Sequence, residues 1–192
     1  MALRLTLIAH GGTAAQRQAR FPADEPAELD APASAYRLGR FPRRTRFLQG
    51  PEQRVRDTAA LFSSQCEVEP ALRDCDFGRW AGVSIDEVAA GEPEALALWM
   101  QDWQAAPHGG ESLQAVYQRT CAWLGALSGT GQVVAVTHPY VMRCALMHVL
   151  GCPPAALHVI DIEPLAAVTL SFNGRWRMRA VSLLPTAEPR PA

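Results

Sequence analysis

Two histidines occupy matching places in this sequence. "LTLIAHGGT" is an apolar run that stops at His10 before Gly11 and Gly12, and "QVVAVTH" is a β-branched run that ends on His138. Continuous apolar runs this short, closed by turn residues, read as buried strands. In an open parallel sheet the ligand crevice lies outside the carboxyl ends of the strands. Two strands that each finish on a histidine therefore bring two imidazoles to one edge, far apart as they are in the chain. Either ring alone reads better as a strand-end histidine bonded to a backbone carbonyl; the pair points to a site. A neutral imidazole held there is a nucleophile. All 18 basic residues are arginine, which excludes Schiff-base chemistry and the P-loop lysine, so any phosphate is handled by arginine.

The elements that must position these rings follow from the pattern between them. "TRFLQGP" reads as a second strand, and "EQRVRDTAALFSS" has Val55, Thr58, Ala59 and Phe62 at helical spacing. "VSIDEVAAGEPEALALWMQDW" opens with Ser84 and Glu87 at capping-box spacing, then breaks near Gly91 and Pro93. "ESLQAVYQRTCAWLGALSG" places Leu113, Val116, Tyr117, Leu124 and Leu127 on one helical face. "PYVMRCALMHVLG" starts a helix on Pro139 and stops it at Gly151. Asn173-Gly174 between two strand-like runs predicts a hairpin, while "FPADEPAELDAPAS" reads as loop. Strands alternating with helices predict a three-layer α/β/α sandwich, its sheet mostly parallel with an antiparallel edge hairpin.

Composition narrows the class. With 192 residues, 48% of them hydrophobic, the chain predicts one domain over residues 1–184 and a flexible tail over 185–192. A net charge of −1 argues against a nucleic-acid binder, and the arginines 37, 40, 43, 44 and 46 read as a solvated face able to steer an anion. No apolar run reaches membrane length and no signal peptide opens the chain, so the expected location is cytoplasmic, without a membrane partner. Five cysteines without a C-x-x-C pair suggest neither a disulfide framework nor a thiolate metal site. No cofactor and no metal are expected; a homo-oligomer is left open.

Taken together the blocks resemble the histidine phosphatase superfamily, the phosphoglycerate mutase-like enzymes. "LIAHGGT" matches the family's L-x-R-H-G-x-T at Leu7, His10, Gly11 and Thr13; Gln16, Arg20 and Phe21 follow at its N and R-F positions. "GPEQRVRDTA" is similar to S-P-x-x-R-x-x-x-T-A and puts the phosphate-binding arginine on Arg54. "DCDFGRWAG" is similar to E-x-D-F-G-x-W-x-G and puts the proton donor on Asp74. "HGGES" matches G-G-E-S, and "VVAVTHPYVMR" the segment holding the second histidine, His138, with Arg143 beyond. The resemblance implies that His10 attacks phosphorus and that Arg54 and His138 surround the phosphoryl oxygens, with Gln16 and Arg20 as further candidates. The two glycines are expected to make a tight turn that an anion approaches closely. It further implies that Asp74, its pKa raised by the nearby phosphate, protonates the leaving group.

Four departures qualify the match. Ala9 stands where the family has arginine, Asp74 where it usually has glutamate, and Pro139 where it favours glycine; the stretch from Phe21 to Gly50 is short. Losing a donor at a catalytic centre typically costs roughly 10²–10³ in rate. The expected function is metal-independent hydrolysis of a small phosphate monoester through a phosphohistidine. The alternatives are an impaired relative that binds a phosphorylated ligand or protein partner, and a phosphoglycerate-type mutase.

Overall fold

The computed structural model describes residues 2–29 and 41–183. The tail expected over 185–192, and Arg37 and Arg40 of the basic run, lie outside the described residues. Six strands form one sheet: β1 (Leu3–Ala9), β2 (Arg46–Gln49), β3 (Glu67–Val68), β4 (Gly131–Thr137), β5 (Ala166–Phe172) and β6 (Trp176–Leu183), in the order β3-β2-β4-β1-β5-β6. The first four are mutually parallel; β5 runs antiparallel to β1, and β6 antiparallel to β5. The fold is the expected α/β sandwich with an antiparallel edge hairpin.

Period-two alternation assigns the two faces. Leu5, Leu7, Ala135, Val168 and Leu170 point to one side and pack with Leu113, Val116 and Leu124 of α5 (Leu113–Ala126) and Met142 of α6 (Pro139–Leu150). Ile8, Val134, Val136 and Ala167 point to the other and meet Val55 and Ala59 of α2 (Gln53–Ala59). Because β1 and β4 are buried on both faces, they read as unbroken apolar runs.

Local chemistry sets the helix ends. Ser84 and Glu87 form the predicted capping box of α3 (Ile85–Gly91), and Pro93 starts α4 (Pro93–Gln101) one residue after α3 stops. Ser112 caps α5, and Gly151 closes α6 in the left-handed conformation. Short elements were not predictable: α1 (Ala14–Arg17), the two-residue β3 and the 3₁₀ turns Pro70–Leu72 and Gly78–Trp80 have too few residues for periodicity. The helix predicted to reach Phe62 ends at Ala59, and Phe62 packs against the second core from the turn beyond. Arg46 of the basic run pairs on the surface with Glu67 of β3.

Leu7 is fully buried in the central strand. Leu7→Ala is expected to lower unfolding free energy by about 2–5 kcal/mol, whereas Val181→Ala, at the 57% exposed Val181 of β6, changes it by less than about 1 kcal/mol. Urea denaturation of the two variants checks this.

Candidate active site

Strand register creates the site. Ala9 of β1 and Thr137 of β4 are partners, and the His10 N–H donates to the Thr137 carbonyl at 2.9 Å. The next residues, His10 and His138, therefore leave the sheet side by side, with ring centroids 5.2 Å apart at 63°. On the other flank Gly50 follows β2 and donates its N–H to Val136 O at 3.1 Å. A Cβ at Gly50 would stand 2.8 Å from Leu72 O and 3.0 Å from Glu52 Oε2, so only glycine lets this strand end pass so close.

A set of buried charges closes around the rings. Arg54 and Asp74 are only 2% and 9% exposed, and Arg54 Nη2 donates to Asp74 Oδ2 at 2.7 Å. Arg54 Nη1 donates to Ala23 O at 2.6 Å, while Nε is buried without a partner. Asp74 Oδ1 accepts from Cys75 N at 2.9 Å. His138 Nε2 donates to Glu52 Oε2 at 2.8 Å, and its Nδ1 lies 3.4 Å from Asp74 Oδ2. Burial would raise the Asp74 pKa, but the pull of His138 and Arg54 outweighs it and holds the carboxyl below its usual range. Glu52 is likewise lowered, the hydrogen bond from His138 overcoming desolvation.

His10 has the opposite setting. Its Nδ1–H donates to the Gly11 carbonyl at 2.7 Å, which fixes the tautomer and leaves Nε2 with a lone pair. Burial and the neighbouring His138 lower its pKa to about 4. The ring is neutral at pH 7.

His10, Thr13, Gln16, Arg20, Arg54 and Asp74 line one cavity of about 380 Å³, together with Pro139, Tyr140 and Arg143 of α6. The remaining expected residues lie elsewhere. His138 is 0% exposed and is not among the residues that line the cavity; it meets the His10 ring and Asp74. Gly11 lines no part of it; its N–H donates to Thr58 Oγ1 at 2.9 Å. Neither Gly11 nor Gly12 has a positive φ, so no tight left-handed turn follows His10. Gly11 instead makes room for Leu29, whose Cδ2 would be 2.6 Å from a Cβ. Thr13 and Gln16 form the capping box of α1, so Thr13 Oγ1 and Gln16 Oε1 are engaged with the backbone. A larger cleft of about 530 Å³ lies at the opposite ends of the strands between Arg4, Arg44 and Arg177, and among the described residues no histidine or carboxylate lines it.

Sequence reasoning missed Glu52 and Arg119. Glu52 Oε1 accepts from Asp74 N at 2.9 Å while Oε2 holds His138, so one carboxylate joins both. Arg119 of α5 donates to Asp74 O at 2.8 Å and is itself fixed by Glu111, at 2.9 Å and 3.0 Å. Glu52, two residues before Arg54, was within reach of the motif. Arg119 carries no local signal, because its partners are brought to it only by the fold.

The buried neutral histidine makes the fold acid-sensitive. A pKa of about 4 lies below the ordinary 6.5, so as pH falls between these values the unfolded chain takes up a proton that the folded chain refuses. Asp74 and Glu52, both lowered, act in the same direction further into acid. Stability should fall from pH 7 to pH 4, and His10→Gln should lose about 3 kcal/mol less than wild type over that range. Denaturant titrations at the two pH values check this.

The profile of the histidine phosphatase superfamily (branch 1) matches residues 5–183. A bifunctional protein of Mycobacterium tuberculosis is 32% identical over 126 residues, covering 60% of this chain and 35% of its own length. Phosphoserine phosphatase 1 of Hydrogenobacter thermophilus is 32% identical over 55% of this chain and 56% of its own. The chain thus spans between about a third and just over half of these relatives. Adenosylcobalamin/alpha-ribazole phosphatase of Salmonella typhi is 27% identical over 84% of this chain and 86% of its own. Among solved structures, the alpha-ribazole phosphatase of Shigella flexneri superposes with a TM-score of 0.79 at 23% identity, over 98% of this chain and 100% of that one. Among the described residues no helix is long and apolar enough to cross a membrane. With the profile running from β1 into β6 and the two histidines paired at one strand edge, the chain belongs to the histidine phosphatase superfamily, branch 1.

Proposed function

We propose that this protein hydrolyses a small phosphate monoester through a phosphohistidine on His10. The observation that carries the reading is the neutral His10, its Nε2 unprotonated, in one cavity with the buried Arg54 guanidinium. Relatives named as phosphatases of phosphoserine and of alpha-ribazole support the reaction class.

In the first step the Nε2 lone pair forms an N–P bond as the ester P–O bond breaks. Gly11 O holds the Nδ1 proton throughout and stabilises the imidazolium. The Arg54 guanidinium lines the cavity with His10 and is the cation for the phosphoryl oxygens. Asp74 is ionised in the free site, so the leaving oxygen's proton has to come from elsewhere. A substrate bound as its monoanion supplies it: the like charge of the phosphoryl group raises the Asp74 pKa, the proton passes to the carboxylate, and from there to the leaving alkoxide. In the second step water attacks phosphorus and gives one proton to Asp74; the N–P bond breaks, its electron pair returns to His10, and the proton leaves Asp74 with the departing phosphate, which restores the free site.

This assignment sets the pH profile. His10 must be neutral, which places the acid limb near pH 4, and the substrate must keep its second proton, which places the alkaline limb near its second pKa of about 6. Activity should peak between these limits, resist chelation, fall by roughly 10²–10³ in Arg54→Ala and vanish in His10→Ala. Acid quenching of a turnover with labelled phosphate should trap the label on His10.

A binding-only role is the second reading, favoured by Ala9, which is fully buried and leaves Arg54 as the one deeply buried guanidinium described in the cavity wall. Phosphate binding in wild type with no turnover above the His10→Ala background would establish it.

A further inference from the structure

We propose that the ester carried by this site has an apolar, aromatic-sized body, and not a sugar or amino-acid one. The inference rests on the phosphate-ester reading and concerns the wall beyond His10 and Arg54. Phe21, Phe77, Leu96, Trp99, Met100 and Tyr140 are among its apolar residues, with Arg20 and Arg143 beside them.

The rings there already pack on one another. Phe21 lies 5.2 Å from Phe77 and 5.7 Å from Trp99, centroid to centroid. Backbone pairing holds them in place, with Phe21 N donating to Val83 O and Ile85 N to Ala19 O, so the wall is built before a ligand arrives. A polyhydroxylated body needs partners for each hydroxyl, because an unmade hydrogen bond in a dry pocket is costly. The neutral polar side chains lining this cavity are few, and two of them, Thr13 and Gln16, already have their oxygens in the cap of α1.

One observation points to an occupant. Met100 and Ile85 line the cavity and remain 58% and 44% exposed, an apolar surface without a cover among the described residues. A ligand with an apolar body covers it. Each buried methylene is worth about a fourfold gain in affinity, so the wall discriminates strongly between bodies of equal size and different polarity.

The test compares 2-phenylethyl phosphate with glycerol phosphate and phosphoserine, all alkyl esters, so that leaving-group acidity does not favour the aromatic one. We expect kcat/KM at least about tenfold higher for 2-phenylethyl phosphate, in a reaction abolished by His10→Ala. Met100→Ser and Ile85→Ser should raise its KM severalfold and leave that for glycerol phosphate unchanged. In parallel, 3-phenylpropylphosphonate and 3,4-dihydroxybutylphosphonate, which cannot be hydrolysed, are titrated calorimetrically into wild type. The aromatic phosphonate should bind at least about tenfold more tightly. Equal or weaker binding overturns the proposal whether or not turnover is found. Turnover absent with the aromatic preference intact overturns the phosphatase reading alone. Turnover of glycerol phosphate or phosphoserine equal to that of the aromatic ester leaves the phosphatase and overturns the substrate class.

Discussion

A guanidinium and a carboxylate, both nearly out of water, satisfy each other at the carboxyl edge of this sheet, and the surrounding structure is arranged to permit it. Burying either charge of Arg54 and Asp74 alone would cost several kcal/mol, and even as a pair they give no more stability than apolar residues of the same volume. What makes the pair tolerable is the number of groups that converge on it. Asp74 is held through its N–H by Glu52, through its carbonyl by Arg119, and through Oδ1 by the Cys75 amide. Arg54 is tied back to Ala23 O. The segment 70–80, the start of α2, the middle of α5 and the loop before α2 are thereby fixed relative to the ends of β1 and β4. A network with this much backbone in it has one geometry, and replacing it with apolar side chains would keep the fold while removing the site.

The same arrangement explains how a histidine stays neutral beside two carboxylates. Asp74 raises the His10 pKa, but it is already answered by Arg54 and His138, and burial with the His138 repulsion prevails. His138 in turn is held by Glu52. Asp74 is thus paired with Arg54, and Glu52 with His138, while the imidazole facing the cavity carries no proton on Nε2. The two histidine rings stand 5.2 Å apart, centroid to centroid.

How much of this was legible depended on whether the controlling contact is local. The strand ends at His10 and His138, the Ser84–Glu87 capping box and the Asn173-Gly174 turn are short-range patterns, and each appears where the sequence placed it. The family resemblance placed Arg54 and Asp74 in one site, but neither it nor spacing foresaw the contact between them. Glu52 and Arg119 bind partners 22 and 45 residues away, which no periodicity encodes. The reading of Gly11 and Gly12 as a turn failed for a related reason: Gly11 is small to admit Leu29, a contact across the fold. Strand order brought His138 to the edge, but its depth is set by its contacts with Glu52 and Asp74, which no spacing encodes.

Cradle and wall come from different parts of the chain, and this division has a consequence for specificity. The groups proposed to handle phosphorus sit on strand ends and on the first turn of α2, rigid positions locked by ladder hydrogen bonds. The apolar wall comes from the loop at Phe21, the 3₁₀ turn near Phe77, and α3 and α4, which are separated by a single residue. Gly78, at φ +50°, fits against His108 O where a Cβ would stand 2.3 Å away, so this wall is anchored by a backbone contact and not by the ion network. Substitutions at Ile85, Leu96 or Met100 can therefore change what body is accepted without disturbing Arg54 or Asp74. A scaffold organised this way keeps one reaction while its substrates vary, which is the physical reason that membership of the superfamily fixes the chemistry of a site more firmly than the identity of the ester.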